Sequence, residues 1–264
     1  MKISFMTFAC PQLSFDEVVS LAVRHAYQGI EFRCDAGHKH GVELVAIAEQ
    51  RAAYRRKLAE AGVEACCLAT SLQFVNKVAV DQAPALIDLA ADLGCPALRV
   101  FCGPLPVGLE IDDAVPVVAE HLRHVVERAL YSGVKLWLET HDSVSKGVHA
   151  GRIVRLVDHP ALAINWDNMH PYRNGEALAT TWQAIAPFIQ HTHFHDAIAD
   201  PGAPVITPFG QGQLPVQAMF DLLHQVGYQG YYSGEWFDTQ MGADADASLE
   251  AHKLGLIQLE RGQS

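Results

Sequence analysis

The sequence predicts an α/β chain folded as one (β/α)8 barrel over residues 1–264, and three observations predict it. Eight short, nearly continuous apolar runs rich in β-branched or aromatic residues have the character of parallel strands covered on both faces. Helix-compatible sequence follows each run. The repeat comes to about 33 residues per unit, the usual spacing in this class of barrel.

The first strand is expected over 2–8, and the MTFACPQLSF that ends it has no glycine-rich turn. That argues against a doubly wound sheet, whose first turn normally carries a phosphate-binding glycine motif. Ser14 opens a helix over 15–27 with Glu17 three residues on, a capping box. Further strands are expected over 29–34, 64–70, 97–102, 135–140, 161–167, 190–195 and 230–236, and helical stretches over 44–61, 81–93, 113–131, 175–189, 215–226 and 246–261. A phrase of helix, glycine and apolar strand recurs as AYQGIEFR, EAGVEACCL, DLGCPALRVF, YSGVKLWLE and QVGYQGYYSGEW. Gly29, Gly62, Gly94, Gly133 and Gly227 are therefore expected in the left-handed conformation that closes a helix before a strand. GQGQLP, starting at Gly210, only partly matches a dinucleotide loop and reads as an ordinary loop.

Composition bounds the function. With 50% hydrophobic and 19% charged residues the chain can bury a large core. No apolar run approaches the roughly 18–20 residues of a membrane span, and the N-terminal MKISFMTFACPQ lacks the form of a signal peptide, so a soluble, cytoplasmic chain is expected. Nineteen Lys and Arg against 30 Asp and Glu give a net charge of −11, which repels nucleic acid and anionic lipid. The six cysteines (Cys10, Cys34, Cys66, Cys67, Cys95 and Cys102) form no CxxC pair and are expected to be reduced and mostly buried.

In a parallel barrel the chemistry collects at the C-terminal strand ends. Here those ends are polar. The second strand ends in Arg33, Cys34 and Asp35, with His38 and His40 beyond; the fifth ends LETHD, with Glu139, His141 and Asp142. The sixth ends WDNMH, with Asp167 and His170; the seventh HTHFHD, with His191, His193, His195 and Asp196; the eighth GEWF, with Glu235. Ionisable groups inside apolar strands need compensation, and one divalent cation compensates several at once. Glu139, Asp167, His193 and Glu235 on four consecutive strand ends are expected to meet near the barrel axis. Three carboxylates and one imidazole suit Mn2+, Mg2+, Co2+ or Zn2+.

LETHD, WDNMH, HTHFHD and GEWF, in this order, resemble the sugar phosphate isomerase and epimerase family with the xylose isomerase-like TIM barrel. The resemblance spans nearly the whole chain. It implies Glu139, Asp167, His193 and Glu235 as metal ligands and His170 as a substrate contact. Two departures stand out: His195 occupies the position that is usually Lys, and no Arg follows His193 within ten residues, where ketose epimerases commonly place one.

The expected activity is that of a divalent-metal-dependent sugar (ketose or aldose) isomerase or epimerase, by proton transfer through a metal-bound enediolate. Glu139 and Glu235 are the candidate base and acid, Mn2+ the favoured ion, and His170, His141, Arg33, His40 and His195 the candidate substrate contacts. His38 is a weaker candidate beside Arg33, and Trp137, Trp166 and Trp236 flank the acidic strand ends. A metal-dependent dehydratase of an inosose-like or related polyol ketone is the alternative. A non-catalytic sugar-binding barrel ranks lower. An abasic-site endonuclease ranks lowest, because the segment after His193 has no Asp-x-His phrase and the third strand ends without a histidine. A two-metal aldose isomerase needs an Asp-x-Asp phrase late in the barrel, and after His193 the first is the DAD of Asp244 and Asp246, past the eighth strand. The expected partner is a small-molecule sugar or polyol ketone, with no nucleic acid and no membrane, and with homo-oligomerisation left open.

Overall fold

The computed structural model describes residues 1–198, 200, 204–241 and 244–262. Strands β1 (Lys2–Met6), β2 (Gly29–Arg33), β3 (Glu64–Gln73), β4 (Ala97–Phe101), β5 (Lys135–Glu139), β6 (Leu162–Asp167) and β7 (Ile189–His193) run in sequence order around a barrel. Strands β8 (Asp196–Ile198) and β9 (Val205–Thr207) make an antiparallel pair outside it, and β10 (Tyr231–Gly234) closes it by pairing in parallel with β7 and β1. All eight predicted strands are present. The β8–β9 pair was not foreseen, since three-residue strands carry too little periodicity to register.

Helices α1 (Phe15–Arg24), α2 (Ala48–Ala61), α3 (Val78–Leu93) and α4 (Ile111–Tyr131) cover the first half. In the second half lie α5 (Gly147–Val157), α6 (Met169–Arg173), α7 (Leu178–Ile185), α8 (Val216–Gln225) and α9 (Ala245–Arg261). The start of α1 is the expected capping box, the Ser14 backbone N–H donating to Glu17 at 2.8 Å. Among the described residues no helix is long and apolar enough to cross a membrane. The α5 stretch GVHAGRIVRLV is rich in Gly and β-branched residues, and its helical character is accordingly weak in sequence. Gly151 has a packing reason: a Cβ there would lie 2.5 Å from the Ala184 carbonyl oxygen of α7.

Gly62, Gly94, Gly133 and Gly227 adopt the expected left-handed conformation, with φ between 67° and 72°. Gly29 does not. Ala26 takes the left-handed position after α1, at φ 57°, and Gly29 begins β2. What requires glycine there is space, because a Cβ would lie 2.6 Å from Tyr231 Cε1 and 3.0 Å from Cys66.

Two apolar layers result. The larger packs the outward faces of the strands against the helices. A smaller cluster of Cys66, Cys67, Ala97, Trp137, Ala163 and Tyr231, drawn from five strands, fills the barrel interior beneath the site. All six cysteines are buried and unpaired.

Candidate metal centre and active-site cavity

Strand termini position the cluster. Glu139, Asp167 and His193 are the last residues of β5, β6 and β7, and Glu235 immediately follows β10. Asp167 and His193 are register partners, as are Ser233 and His193, so these ends stand side by side. Ligand atoms of Glu139, Asp167, His193 and Glu235 all lie within 4.8 Å of one another. His193 Nδ1 is at the centre, 2.9 Å from Glu235 Oε2, 3.2 Å from Glu139 Oε1 and 4.0 Å from Asp167 Oδ2.

The donor set fits a divalent cation. Asp167 Oδ1 accepts the backbone N–H groups of Met169 (2.8 Å) and His170 (3.1 Å), which fixes the carboxylate, while Oδ2 is buried without a hydrogen-bond partner. Glu139 Oε2 is likewise without one, although Arg99 Nε lies 3.2 Å away. Burial and then the neighbouring Glu139 and Glu235 charges push the Asp167 carboxyl up to about 8. Burial also raises Glu139 and Glu235, but His193, helped by Arg99, outweighs it and holds both below the usual carboxylate range. For His193 burial disfavours the charged ring, yet Glu235, Glu31 and Glu139 raise it well above its ordinary value. Three carboxylates, two of them fully buried, thus crowd around one imidazolium, and a dication relieves that repulsion.

A cavity of about 340 Å³ opens above the cluster. Asp167 and Glu235 line its floor, and His141, His170, His195 and Arg33 line its walls, so four of the five expected substrate contacts face it. His40 is not among the lining residues. It is buried, its Nε2 3.2 Å from Thr7 Oγ1 and its Nδ1 accepting the Val42 N–H at 3.0 Å, which gives it a structural task in the loop after β2. Nor is Glu139 among the lining residues: it is fully buried beneath the floor, while Glu235 keeps 21% of its side chain exposed.

The three cavity histidines differ in charge. Although burial lowers it, His141 is raised to about 9 because its Nδ1 contacts Asp142 Oδ1 at 2.7 Å and Glu139 is near. Burial, then the His141 charge, lowers His170 to about 4; burial lowers His195 to about 3. His170 packs edge-on against His141, ring centroids 4.3 Å apart, and its Nε2 lies 3.8 Å from Asp167 Oδ2, as does His195 Nε2. Neither ring nitrogen of His195 has a hydrogen-bond partner among the described residues.

Several site residues went unread in the sequence. Arg99 and Glu31 are charges in the middle of apolar strands, in ALRVF and GIEFR, and that anomaly was the available signal. Phe8, Phe101 and Phe237 form an aromatic rim, and Arg173 joins Arg33 and Arg99 as a third arginine of the lining; single aromatics of this kind carry no such signal. Of the tryptophans, Trp236 lines the cavity, Trp137 stacks on His191 at 4.8 Å, and Trp166 packs against Trp182. Asp196 accepts the backbone N–H groups of Ala197, Gly210, Gly212 and Leu214 at 2.8–3.2 Å, so the GQGQLP loop is wound around this carboxylate.

Among curated proteins, the chain is similar to a putative hydroxypyruvate isomerase of Xenopus laevis, 26% identical over 164 residues that span 57% of each chain. It is also similar to a 3-dehydroshikimate dehydratase of Bacillus anthracis, 25% identical over 199 residues, 74% of this chain and 71% of that one. Among solved structures, the zinc-bound IOLI protein superposes with a TM-score of 0.84 over 98% of both chains at 18% identity, a likeness of fold. The family model for the xylose isomerase-like TIM barrel matches residues 19–254, and with the closed barrel and its converging acidic strand ends the chain belongs to that family.

Proposed function

We propose that the protein is a divalent-metal-dependent isomerase or epimerase of an α-hydroxy ketone or aldose, working by proton transfer. The observation that carries the reading is the convergence of Glu139, Asp167, His193 and Glu235 within 4.8 Å at the floor of the cavity. These four residues would hold a divalent ion, Mn2+ on our reading, which would supply Lewis-acid polarisation of the carbonyl and its neighbouring hydroxyl and so acidify the carbon-bound proton. Glu235, the one of the two candidate glutamates that lines the cavity, takes that proton. Glu139, held by Arg99, is the second carboxylate and the candidate partner for its return. Return to the opposite face of the same carbon is epimerisation; return to the former carbonyl carbon is isomerisation. His170, His141, His195 and Arg33 bind the substrate's oxygens, and Trp236 with the aromatic rim excludes water from the enediolate.

A dehydratase is the second reading, favoured by the 3-dehydroshikimate dehydratase relative. In it the same carbanion expels a β-hydroxyl group, which leaves as water on receiving the proton that Glu235 removed. The lining also suits this chemistry: Arg33 and Arg173 stand among Phe8, Phe101 and Phe237, which fits a ring that carries an anionic group. Incubation of Mn2+-loaded protein with α-hydroxy ketones in D2O discriminates. Isomerisation or epimerisation places solvent deuterium on the carbon next to the carbonyl, whereas dehydration gives an unsaturated ketone. Complete internal transfer of the substrate's own hydrogen overturns both readings in favour of a hydride shift.

A further inference from the structure

Glu31 lies in the middle of β2, is fully buried and is not part of the cavity lining. Its carboxylate nevertheless touches the centre from below. His193 Nε2 lies 3.2 Å from both Glu31 oxygens, His191 Nε2 lies 3.0 Å from Oε2, and Ser233 Oγ donates to Oε2 at 3.1 Å. An ionised carboxylate only accepts, so a hydrogen on each of these three partner atoms points at Glu31. Three donors offset the cost of burying the charge. His191 is fixed in turn by stacking on Trp137 at an interplanar angle of 13°.

The two nitrogens of His193 thus face different carboxylates. Nδ1 faces Glu235 and Glu139, and Nε2 faces Glu31. A neutral imidazole carries one proton, and the nitrogen that carries it cannot ligate a metal. Left to themselves, Glu235 and Glu139 draw the proton to Nδ1, the atom among the ligands. Asn165 Nδ2 lies near both nitrogens, at 3.1 and 3.4 Å, and selects neither. We infer that Glu31, buttressed by His191 and Ser233, is a positioning residue that keeps the His193 proton on Nε2 and so presents the Nδ1 lone pair to the cation. The inference rests on the metal-centre reading above and adds to it a residue outside the ligand set.

Zinc binding and nitrogen NMR test it together. In zinc-loaded protein labelled with 15N-histidine, His193 should carry its proton on Nε2 and show metal-shifted Nδ1. In Glu31→Gln the amide can donate to Nε2, so zinc affinity, measured by competition with a chromophoric chelator, should fall roughly 10- to 100-fold, the usual scale for losing such a partner. Ser233→Ala, which removes one of three donors, should lose less. A zinc-loaded wild type with the His193 proton on Nδ1, or a folded Glu31→Gln with affinity within about twofold of wild type, overturns this inference and leaves the metal centre standing. If Glu31→Gln does not fold, the wild-type spectrum decides alone. A wild type that binds no divalent ion overturns both.

Discussion

Arg99 Nε stands 3.2 Å from Glu139 Oε2 inside the barrel, with the two side chains 1% and 0% exposed. The guanidinium is locked in place: Nη1 donates to the Thr70 carbonyl at 3.0 Å, and Cζ sits 4.0 Å from the centre of the Phe101 ring. His193 and Arg99 are the cations that favour the ionised Glu139, and of the cluster's carboxylates Glu139 is the one paired directly with Arg99. Arg99→Leu should therefore cost about 3–5 kcal/mol in metal-free protein, the scale for stranding a buried charge. Saturating Mn2+ should recover part of the loss by supplying the missing positive charge. Urea unfolding with chelator and with Mn2+ checks this; a loss unaffected by the metal would separate Arg99 from the centre.

Asp167→Asn keeps an acceptor for the Met169 and His170 N–H groups but removes the charge on the unpartnered Oδ2. The turn into α6 should persist while the ion is lost. A ligand at 100 times its Kd stabilises a fold by about 2.7 kcal/mol, so the wild type should gain roughly that from Mn2+ and the variant nothing. Elemental analysis with unchanged metal content in the variant would remove Asp167 from the ligand set.

His170→Ala should retain metal, because His170 Nε2 sits 3.8 Å from Asp167 Oδ2 on the cavity wall and outside the four-residue cluster. Loss of one substrate hydrogen bond should lower kcat/KM by up to about tenfold. Coupled loss of metal and activity would instead make His170 a ligand.

The barrel was legible because parallel strands buried on both faces announce themselves as apolar runs, and the site was legible because Glu139, Asp167, His193 and Glu235 interrupt those runs at their ends. Arg99 and Glu31 interrupt them in the middle. A mid-strand charge needs a partner, but the partner lies on another strand, and spacing along one strand says nothing of its neighbours. His40 shows the reverse: proximity in sequence to Arg33 suggested the cavity, whereas hydrogen bonds to Thr7 and Val42 hold it elsewhere. The recurrent glycines misled at Gly29 for a similar reason, since a glycine required by a contact on β10 looks the same in sequence as one required by its own backbone.

His252 gives an expected pH dependence of stability. It is fully buried in α9, its Nε2 3.0 Å from the Phe194 carbonyl and its Nδ1 2.9 Å from the Tyr27 hydroxyl, and burial lowers it to about 4. The unfolded histidine titrates near 6.5. Between the two values the unfolded chain binds a proton that the native chain refuses, so this contribution is whole above about pH 6.5 and is lost as pH falls toward 4, at about 1.4 kcal/mol per pH unit. His252→Gln should unfold more readily at pH 7 yet lose less on acidification to pH 4.5. Parallel pH profiles for the two proteins in urea would remove His252 from the account.

Gly29→Ala and Gly62→Ala should both destabilise, for different reasons that can be told apart. At Gly62 nothing lies within 4 Å of a new Cβ, so the cost is that of a left-handed alanine at φ 67°, about 1–2 kcal/mol. At Gly29 the backbone is unstrained, but the methyl would meet Tyr231 Cε1 at 2.6 Å and Cys66 at 3.0 Å, and overpacking typically costs about 1–3 kcal/mol. The Tyr231 ring cannot easily yield, because its hydroxyl donates to Glu64 Oε2 at 2.7 Å and Lys2 Nζ sits 5.2 Å from its centre. Shortening that side chain should therefore relieve the clash. Tyr231→Leu should cost less in the Gly29→Ala background than in wild type, a favourable coupling of about 1 kcal/mol or more, and should add independently to Gly62→Ala. Additive behaviour at both positions, measured by denaturant unfolding of the two double-variant sets, would show that Gly29 is needed for its backbone after all.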